Sequence, residues 1–112
     1  MKKTRKLSRQ RDQRRALLKG LAANLVLKEK IKTTEAKAKE MRSLVERLVT
    51  KTKKGNLAGV RYAAKFLPPA ALKKMIKEIS PRYQDRPGGY LRLIKLGQRK
   101  SDSAKMTIIQ FV

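Results

Sequence analysis

The chain has 112 residues, with 31 Lys and Arg against 8 Asp and Glu, and a formal charge of +23 at pH 7. It contains no cysteine and no histidine, which excludes disulfides, thiolate metal sites and the commonest general base at neutral pH. Hydrophobic residues make up 40%, which favours a folded body over a disordered tail. We therefore expect one small domain, residues 1–112, without a metal ion or cofactor, whose charge a polyanion neutralises.

Membrane and export signals are missing from the pattern. The longest apolar run, residues 21–27, is far shorter than the roughly 20 residues that span a bilayer. The basic N-terminus meets no uninterrupted apolar stretch and no cleavage site of the secretory kind. The sequence thus predicts a cytoplasmic protein that binds no membrane and no small-molecule substrate.

The N-terminal nineteen residues are strongly basic. They hold one acidic residue, Asp12, and nine basic ones: Lys2, Lys3, Arg5, Lys6, Arg9, Arg11, Arg14, Arg15 and Lys19. Because apolar residues are scarce before Ala16, residues 1–8 are predicted to be an extended or disordered basic arm that orders only on its partner.

Two helices and a strand are predicted next. A helix is expected from about Arg9 to Leu27, with apolar residues three and four apart. A short strand follows around Ile31, and a second helix begins at Thr33 or Thr34. In that helix Glu35 complements the dipole and pairs with Lys39. The apolar positions of the two helices are Leu17, Leu18, Leu21, Leu25 and Val26, then Met41, Leu44, Val45, Leu48 and Val49.

Gly55 and Asn56 are predicted to close the second helix and cap a third. The apolar residues that indicate this third helix are Leu57, Val60, Ala64 and Leu67. Pro68 ends it and Pro69 starts a fourth helix, which we expect to reach Ile79 and to stop at Ser80–Pro81.

A hairpin is predicted at the C-terminus. Strands from Tyr90 to Leu96 and from Lys105 to Val112 are linked by a polar turn, residues 97–103. A lone hairpin is marginally stable, so the early strand is expected to join it in a sheet that packs on the helices. The predicted fold class is α+β, a two-layer α/β sandwich in the order α-β-α-α-α-β-β with a three-stranded sheet.

The adjacent glycines Gly88 and Gly89 raise the possibility of a backbone nest for phosphate. Neither G-x-G-x-x-G nor GK[ST] is present, and a strand rather than a helix follows. A turn that enters the strand is the favoured interpretation, although the arginines around it could still hold a nucleic-acid backbone close to the glycines.

The helix start at Thr33, Thr34 and Lys37 is a second candidate anion site. Glu35 in the first turn would repel an anion, so capping is favoured over phosphate binding. The carboxylates do not suggest catalysis, because no trio suited to Mg²⁺ clusters in the sequence. Those flanked within four residues by Lys or Arg are interpreted as solvated ion pairs: Glu29, Glu35, Glu40 and Glu46.

The basic residues as a set carry the functional signal, because releasing counterions from several phosphates drives binding. The N-terminus and the segment from Arg82 to Arg99 are rich in arginine, which binds phosphate through two donors. The five aromatic residues do not form the stacking set of common single-strand RNA readers. Recognition of backbone and shape is the expected mode.

Two segments, "LVLKEKIKTTEAKAKEMRSLVERLVT" and "PRYQDRPGGYLRLIKLGQRKSDSAKM", resemble the signature regions of the bacterial large-subunit ribosomal protein seventeen family. In the first, E-x-I-x-T-T followed by K-A-K-E-x-R matches residues 29–34 and 37–42. In the second, R-x-G-G-Y-x-R-I matches residues 86–92, with Leu93 in place of isoleucine.

The resemblance implies a non-enzymatic component of the large subunit that binds its rRNA near the polypeptide exit side, beside other ribosomal proteins. It also implies the two-layer fold. The predicted RNA-binding residues are Lys2, Lys3, Arg5, Lys6, Arg9, Arg11, Arg14, Arg15, Lys19, Lys32, Thr33, Lys37, Arg82, Arg86, Gly88, Gly89, Arg92, Lys95, Arg99 and Lys100. The alternatives left open are an architectural DNA-binding protein and a cationic membrane-active protein.

Overall fold

A computed structural model describes the backbone of residues 2–112 and the side chains of residues 12–112. Its elements are α1 (Lys2–Lys28), β1 (Lys30–Thr34), α2 (Glu35–Thr52), α3 (Leu57–Ala64), α4 (Pro69–Lys74), a π-helical turn (Met75–Ile79), α5 (Ser80–Arg82), β2 (Leu91–Gln98) and β3 (Lys105–Phe111). Since α4, the π-helical turn and α5 follow one another without a break, they form one helix. The predicted α+β class and the order of elements are confirmed.

Helix α1 is longer than predicted, because its backbone is helical from Lys2 rather than from about Arg9. The segment before Arg9 is rich in Lys and Arg, which favour helices, and it contains no glycine or proline that would interrupt one. The helix propensity of these residues therefore outweighs the low apolar content of the segment. The side chains of residues 1–11 lie outside the described residues, and the order of the arm on a partner stays a prediction.

Side-chain caps fix where α2 and α3 begin, as the sequence predicted. The Thr34 hydroxyl accepts the Lys37 N–H at 3.4 Å, and the Asn56 side chain accepts the Gly59 N–H at 2.8 Å. Each cap satisfies a backbone donor that has no partner inside its helix. Gly55, between the two helices, has φ +72°.

The helix that starts at Pro69 does not stop at Ser80–Pro81, so the predicted end was wrong. Residues 75–79 form a wider turn, in which the N–H of Ser80 donates to the carbonyl of Met75, five residues back. Pro81 has no N–H and its ring crowds an ordinary helical turn. The wider turn before Pro81 lets the chain remain helical to Arg82.

The sheet has the order β1-β3-β2, with both pairs antiparallel. Ile31 lies opposite Ile109, which lies opposite Leu93, and these three share the face that packs on the helices. The next row, Lys30, Gln110 and Arg92, lies on the outer face. The early strand therefore joins the hairpin as predicted.

One hydrophobic core lies between the helices and the inner face of the sheet. Several of the apolar positions predicted for α1 and α2 are buried in it. They are Leu25 and Val26 in α1, and Met41, Leu44, Val45, Leu48 and Val49 in α2. Tyr83 and Tyr90 are also buried there, 3% and 0% exposed. Within the described part of the chain, no helix is long and apolar enough to cross a membrane.

Helix α3 buries a different face from the one its apolar residues indicated. Leu57 is 63% exposed, whereas Gly59 and Ala63 are buried. A Cβ built on Gly59 would lie 2.1 Å from the Lys51 carbonyl oxygen, so the backbone of α3 touches the last turns of α2 at this point. Close approach decided the orientation of this helix, which leaves Leu57 and Ala64 exposed and Val60 half-buried, whereas Leu67, beyond the end of the helix, is buried in the core.

Replacing Gly59 with Ala is therefore expected to lower the free energy of unfolding by about 1 to 3 kcal/mol, because the clash is with backbone atoms that cannot move alone. Gly20→Ala is the matched control in α1, where an added Cβ meets nothing within 4 Å. That change should raise stability by up to about 1 kcal/mol through helix propensity. Urea unfolding of both variants measures the effects, and changes of the same sign would contradict the prediction.

Candidate nucleic-acid interface

Glu29 joins three parts of the fold at the end of α1. Its carboxylate accepts two hydrogen bonds from the Arg82 guanidinium, at 2.5 and 3.0 Å, and lies 3.2 Å from the Lys74 ammonium. Its backbone has φ +64°, and its carbonyl accepts the N–H of Phe111 at 3.1 Å. The left-handed turn is unfavourable for a glutamate, and the two cations offset that cost.

In this cluster Glu29 and Arg82 have partners that the sequence did not predict. Glu29 was interpreted as a solvated pair with nearby cations, but its partners lie 45 and 53 residues further along the chain. Arg82, predicted to bind RNA, has its guanidinium occupied by Glu29 and holds the end of α5 against the α1–β1 junction. The Lys74 ammonium also donates to the Leu27 carbonyl at 2.7 Å, near the end of α1.

The Arg82 guanidinium lowers the pKa of the Glu29 carboxyl from 4.5 to about 2, with Lys74 acting in the same direction. Because the folded pKa lies below the unfolded one, the contribution to stability is present above about pH 4.5 and is lost as the pH falls toward 2. The side chain is 34% exposed, so we expect solvent screening to leave about 1 kcal/mol.

Glu29→Gln should accordingly lower the free energy of unfolding at pH 7 by about 1 kcal/mol, and the difference from the native chain should shrink toward pH 2. Glu78→Gln is the matched control, since Glu78 makes no ion pair with any described side chain. Urea unfolding at several pH values gives the comparison. A Glu29→Gln deficit that is constant from pH 7 to pH 2 would show that the carboxylate charge is not responsible.

Three other predicted RNA-binding residues also have acidic partners. Arg14 pairs with Glu40 at 2.9 Å across α1 and α2, and Lys95 lies 3.9 Å from Glu35. Arg99 forms two hydrogen bonds with Asp102, at 2.9 and 2.6 Å, across the hairpin turn. These bonds lower the pKa of Asp102 to about 2. All three cations remain largely exposed, so a phosphate would compete with a carboxylate for each.

A second group of predicted residues has no acidic partner among the described side chains. Of these residues, Lys19 is half-buried and the others are exposed. The group comprises Arg15, Lys19, Lys32, Lys37, Arg86, Arg92 and Lys100. The group is spread over α1, the outer face and edge of the sheet, α2 and both ends of the hairpin. Among the predicted residues whose side chains the structure describes, these seven have charge that no described carboxylate compensates.

The Gly88–Gly89 turn enters β2, as the favoured interpretation held. The two glycines have φ +155° and +65°, and an added Cβ would meet nothing within 4 Å at either. Within the described residues, neither N–H takes part in a hydrogen bond of the turn. The turn therefore presents backbone with positive φ at both positions, half-buried at Gly88 and exposed at Gly89, and it is flanked by Arg86 and Arg92, which have no described acidic partner.

Tyr90 anchors this turn from below. Its ring is fully buried, lies 5.1 Å from the Tyr83 ring, and has the Lys53 ammonium 5.1 Å from its centroid. The hydroxyl shares a hydrogen bond with Thr50 at 3.1 Å. Lys53 also donates to the carbonyls of Tyr83 and Arg86, so α2 holds the loop before the glycines at both ends.

The helix start at Thr34 is used for capping, and Thr33 is 8% exposed. Glu35 in the first turn pairs with Lys39 at 3.1 Å, as predicted. Lys37 is exposed, whereas the Thr33 side chain lies in the row of Thr107 and Lys95 on the inner face of the sheet. The structure thus separates two residues that the sequence placed in one anion site.

A basic cluster that the sequence prediction missed lies where α2 meets α3. We call it the Tyr62 patch; it surrounds a cavity of about 500 Å³ and consists of Tyr62 with Lys51, Lys54, Arg61 and Lys65. None of the four cations pairs with a described carboxylate. The basic run at residues 51–54 was the signal in the sequence, but its basic residues are lysines only, whereas the predicted regions are richer in arginine.

The described residues contain no group of three or more His, Cys, Asp or Glu that could hold a metal ion. Their arrangement instead provides exposed ammonium, guanidinium and amide donors. Such groups bind phosphate oxygens without reference to base sequence.

Residues 17–112 match the family Ribosomal protein L17. The chain belongs to this family. Similar relatives are the large ribosomal subunit protein bL17 of Staphylococcus epidermidis, 48% identical, and that of Staphylococcus carnosus, 47% identical. Each alignment covers 96% of this chain and 98% of the relative.

The resemblance stated from the two signature segments is thereby confirmed. In this member of the family, three of the signature residues have structural roles: Glu29 binds Arg82, Thr34 caps α2, and Tyr90 anchors the glycine turn. The exposed cations beside them are the candidate ligands for a nucleic acid.

Proposed function

We propose that the protein is a structural component of the large ribosomal subunit that binds the rRNA of that subunit through its phosphate backbone and shape. Membership of the Ribosomal protein L17 family carries this proposal. The relatives that cover nearly the whole chain are named as large ribosomal subunit proteins. The protein then works in the ribosome of the cytoplasm, beside rRNA and neighbouring ribosomal proteins, and without catalysis.

The distribution of charge supports this function. The six ion pairs between described side chains use only six of the chain's 31 cations. Most of the positive charge is therefore uncompensated within the protein, and self-repulsion is relieved when phosphates approach. A polyanion that surrounds the body on several sides satisfies cations on α1, the sheet and α3 together.

The proposed contact surface has two main parts. The first is the basic N-terminal region, including Arg15 and Lys19 on α1. The second is the glycine turn with Arg86 and Arg92, where an open backbone lets a phosphate approach closely between two guanidinium groups. Arg14, Arg82, Lys95 and Arg99 remain part of the proposal, with a weaker expected contribution because carboxylates already occupy them.

Co-sedimentation tests the proposal. A tagged copy of the chain, expressed in bacteria, should travel with large ribosomal subunits through a sucrose gradient after a high-salt wash, and ribonuclease should release it. Recovery with the DNA fraction, or complete release by the wash from intact particles, would favour an architectural DNA-binding role instead.

A further inference from the structure

A cleft between α1, α2 and the residues after α3 has the features of a ligand site, and its apolar lining has no part in phosphate-backbone binding. We call it the Phe66 cleft. Its volume is about 350 Å³. Its apolar lining residues are Leu18, Leu44 and Phe66, and its charged ones are three arginines and one carboxylate. Concave sites that combine apolar side chains with a few polar groups are typical of pockets that bind small molecules.

Phe66 supplies an aromatic surface in the cleft. It is half-buried, and its ring packs against the Tyr62 ring with 5.3 Å between centroids and 55° between planes. The other aromatic cluster, Tyr83, Tyr90 and Phe111, lies in or against the hydrophobic core. Phe66 and Tyr62 are only partly buried, and they line two neighbouring cavities, Phe66 the cleft and Tyr62 the cavity of the Tyr62 patch.

The charges around the cleft select for a particular ligand. Arg14, Arg15 and Arg47 lie on its rim with Glu40, which Arg14 contacts at 2.9 Å. These side chains offer guanidinium hydrogen-bond donors together with one carboxylate acceptor. A nucleobase satisfies both signs, because it presents acceptors to guanidinium groups and N–H donors to a carboxylate.

The Tyr62 patch adjoins the cleft on the other side of the aromatic pair. Its four cations have no carboxylate among their lining residues, and the Lys51 ammonium lies 5.4 Å from the centre of the Tyr62 ring. The Tyr62–Phe66 pair thus separates an apolar cleft from a cationic one. An aromatic platform beside a basic groove is the arrangement that proteins use for unpaired nucleotides.

We propose that the Phe66 cleft receives the base of one unstacked rRNA nucleotide, while the Tyr62 patch binds the phosphates that flank it. This inference rests on the proposed function, since it names the kind of RNA element that the protein recognises. Paired bases stay inside the A-form helix and cannot enter the cleft, so the element is a bulge, loop or flipped nucleotide. The protein would then read RNA shape through one extruded base.

Binding to two RNA hairpins tests the inference. One hairpin carries a single bulged 2-aminopurine, and the other has the same sequence with 2-aminopurine paired to uracil. The full chain should bind the bulged hairpin about tenfold more tightly, as expected for one stacked base. Phe66→Leu should abolish this preference without changing the salt dependence, which phosphates determine. Phe66→Trp should restore it.

Phe111→Leu is the matched control, because Phe111 is also a partly buried aromatic residue but lies at the sheet, away from the cleft. It should retain the full preference for the bulge. If the native chain binds both hairpins equally, or if Phe111→Leu loses the preference as Phe66→Leu does, the inference is wrong while rRNA binding still stands. If the chain binds neither hairpin nor ribosomal particles, the proposed function fails with it.

Crosslinking in whole particles gives an answer that does not depend on the folding of Phe66→Leu. A photo-reactive azidophenylalanine placed at position 66 should crosslink to an unpaired rRNA nucleotide in purified large subunits. A crosslink to a neighbouring protein instead would show that a protein segment occupies the cleft and would overturn the inference.

Discussion

Replacing Tyr90 with Ala is expected to lower the free energy of unfolding by about 3 to 5 kcal/mol, as for other large aromatic residues removed from a core. Tyr90 is among the largest fully buried side chains, and it lies where α2, the loop before β2 and the end of β3 meet. Small domains are stable by about 5 to 15 kcal/mol, so the variant should be partly unfolded at physiological temperature.

Three contacts of Tyr90 contribute to the expected loss of stability. The ring packs against Tyr83 at 5.1 Å and lies beneath the Lys53 ammonium, whose own bonds hold the loop carbonyls of Tyr83 and Arg86. The hydroxyl bonds to Thr50. Removing the ring leaves a cavity next to a cation whose position depends on it. The glycine turn should then lose its fixed position as well as its support.

Tyr90→Phe separates these contributions, because it removes only the hydroxyl. It should cost about 1 kcal/mol, the typical net value of one hydrogen bond. Urea unfolding followed by far-ultraviolet circular dichroism measures both variants. A loss below about 1 kcal/mol for Tyr90→Ala would mean that the core closes over the gap and that the turn does not depend on this side chain.

Local features of the fold could be predicted from the sequence. Thr34, Gly55 and Asn56 mark helix ends because capping depends on residues only a few positions apart. The apolar repeat of α2 was similarly sufficient to place Met41 through Val49 in the core. Strand pairing followed from the marginal stability of a lone hairpin, which requires a third strand.

Long-range features could not be predicted in the same way. Glu29 binds Arg82, 53 residues away, and its role depends on where α5 ends. The position of that end depends on the π-helical turn before Pro81. The spacing of apolar residues in the sequence does not indicate such a turn. Gly59 is similar: the contact of its backbone with the Lys51 carbonyl reverses which face of α3 is buried, although Leu57 has the stronger apolar character.

The candidate site shows the same division. The excess of cations and the two arginine-rich regions were evident from composition. Composition did not show which cations are already in ion pairs. Arg14, for example, pairs with Glu40 on another helix, 26 residues away. The Tyr62 patch also needed the fold, since its members come from the end of α2, the following loop, α3 and the residue after it.

Arginines without an acidic partner are expected to contribute more to the salt dependence of RNA binding than arginines already in ion pairs. In the double variant Arg15→Gln, Arg92→Gln, two exposed guanidinium groups without acidic partners are neutralised. If both bind phosphate, the slope of log K against log salt for binding to large-subunit rRNA should fall by about 1.5, at about 0.7 to 0.9 per phosphate. Because slopes add across contacts, affinity at low salt should fall much more than affinity at high salt.

The double variant Arg14→Gln, Arg99→Gln is the matched control, since it removes the same charge from the same two elements, α1 and the β2–β3 hairpin. Each of these arginines already lies against a carboxylate, Glu40 or Asp102, which a phosphate must displace and which then repels it. The slope should therefore change by clearly less, because fewer counterions are released when such a pair exchanges partners. Equal slope changes for the two double variants, measured by filter binding over a range of salt concentrations, would show that the ion pairs do not decide which arginines contact RNA.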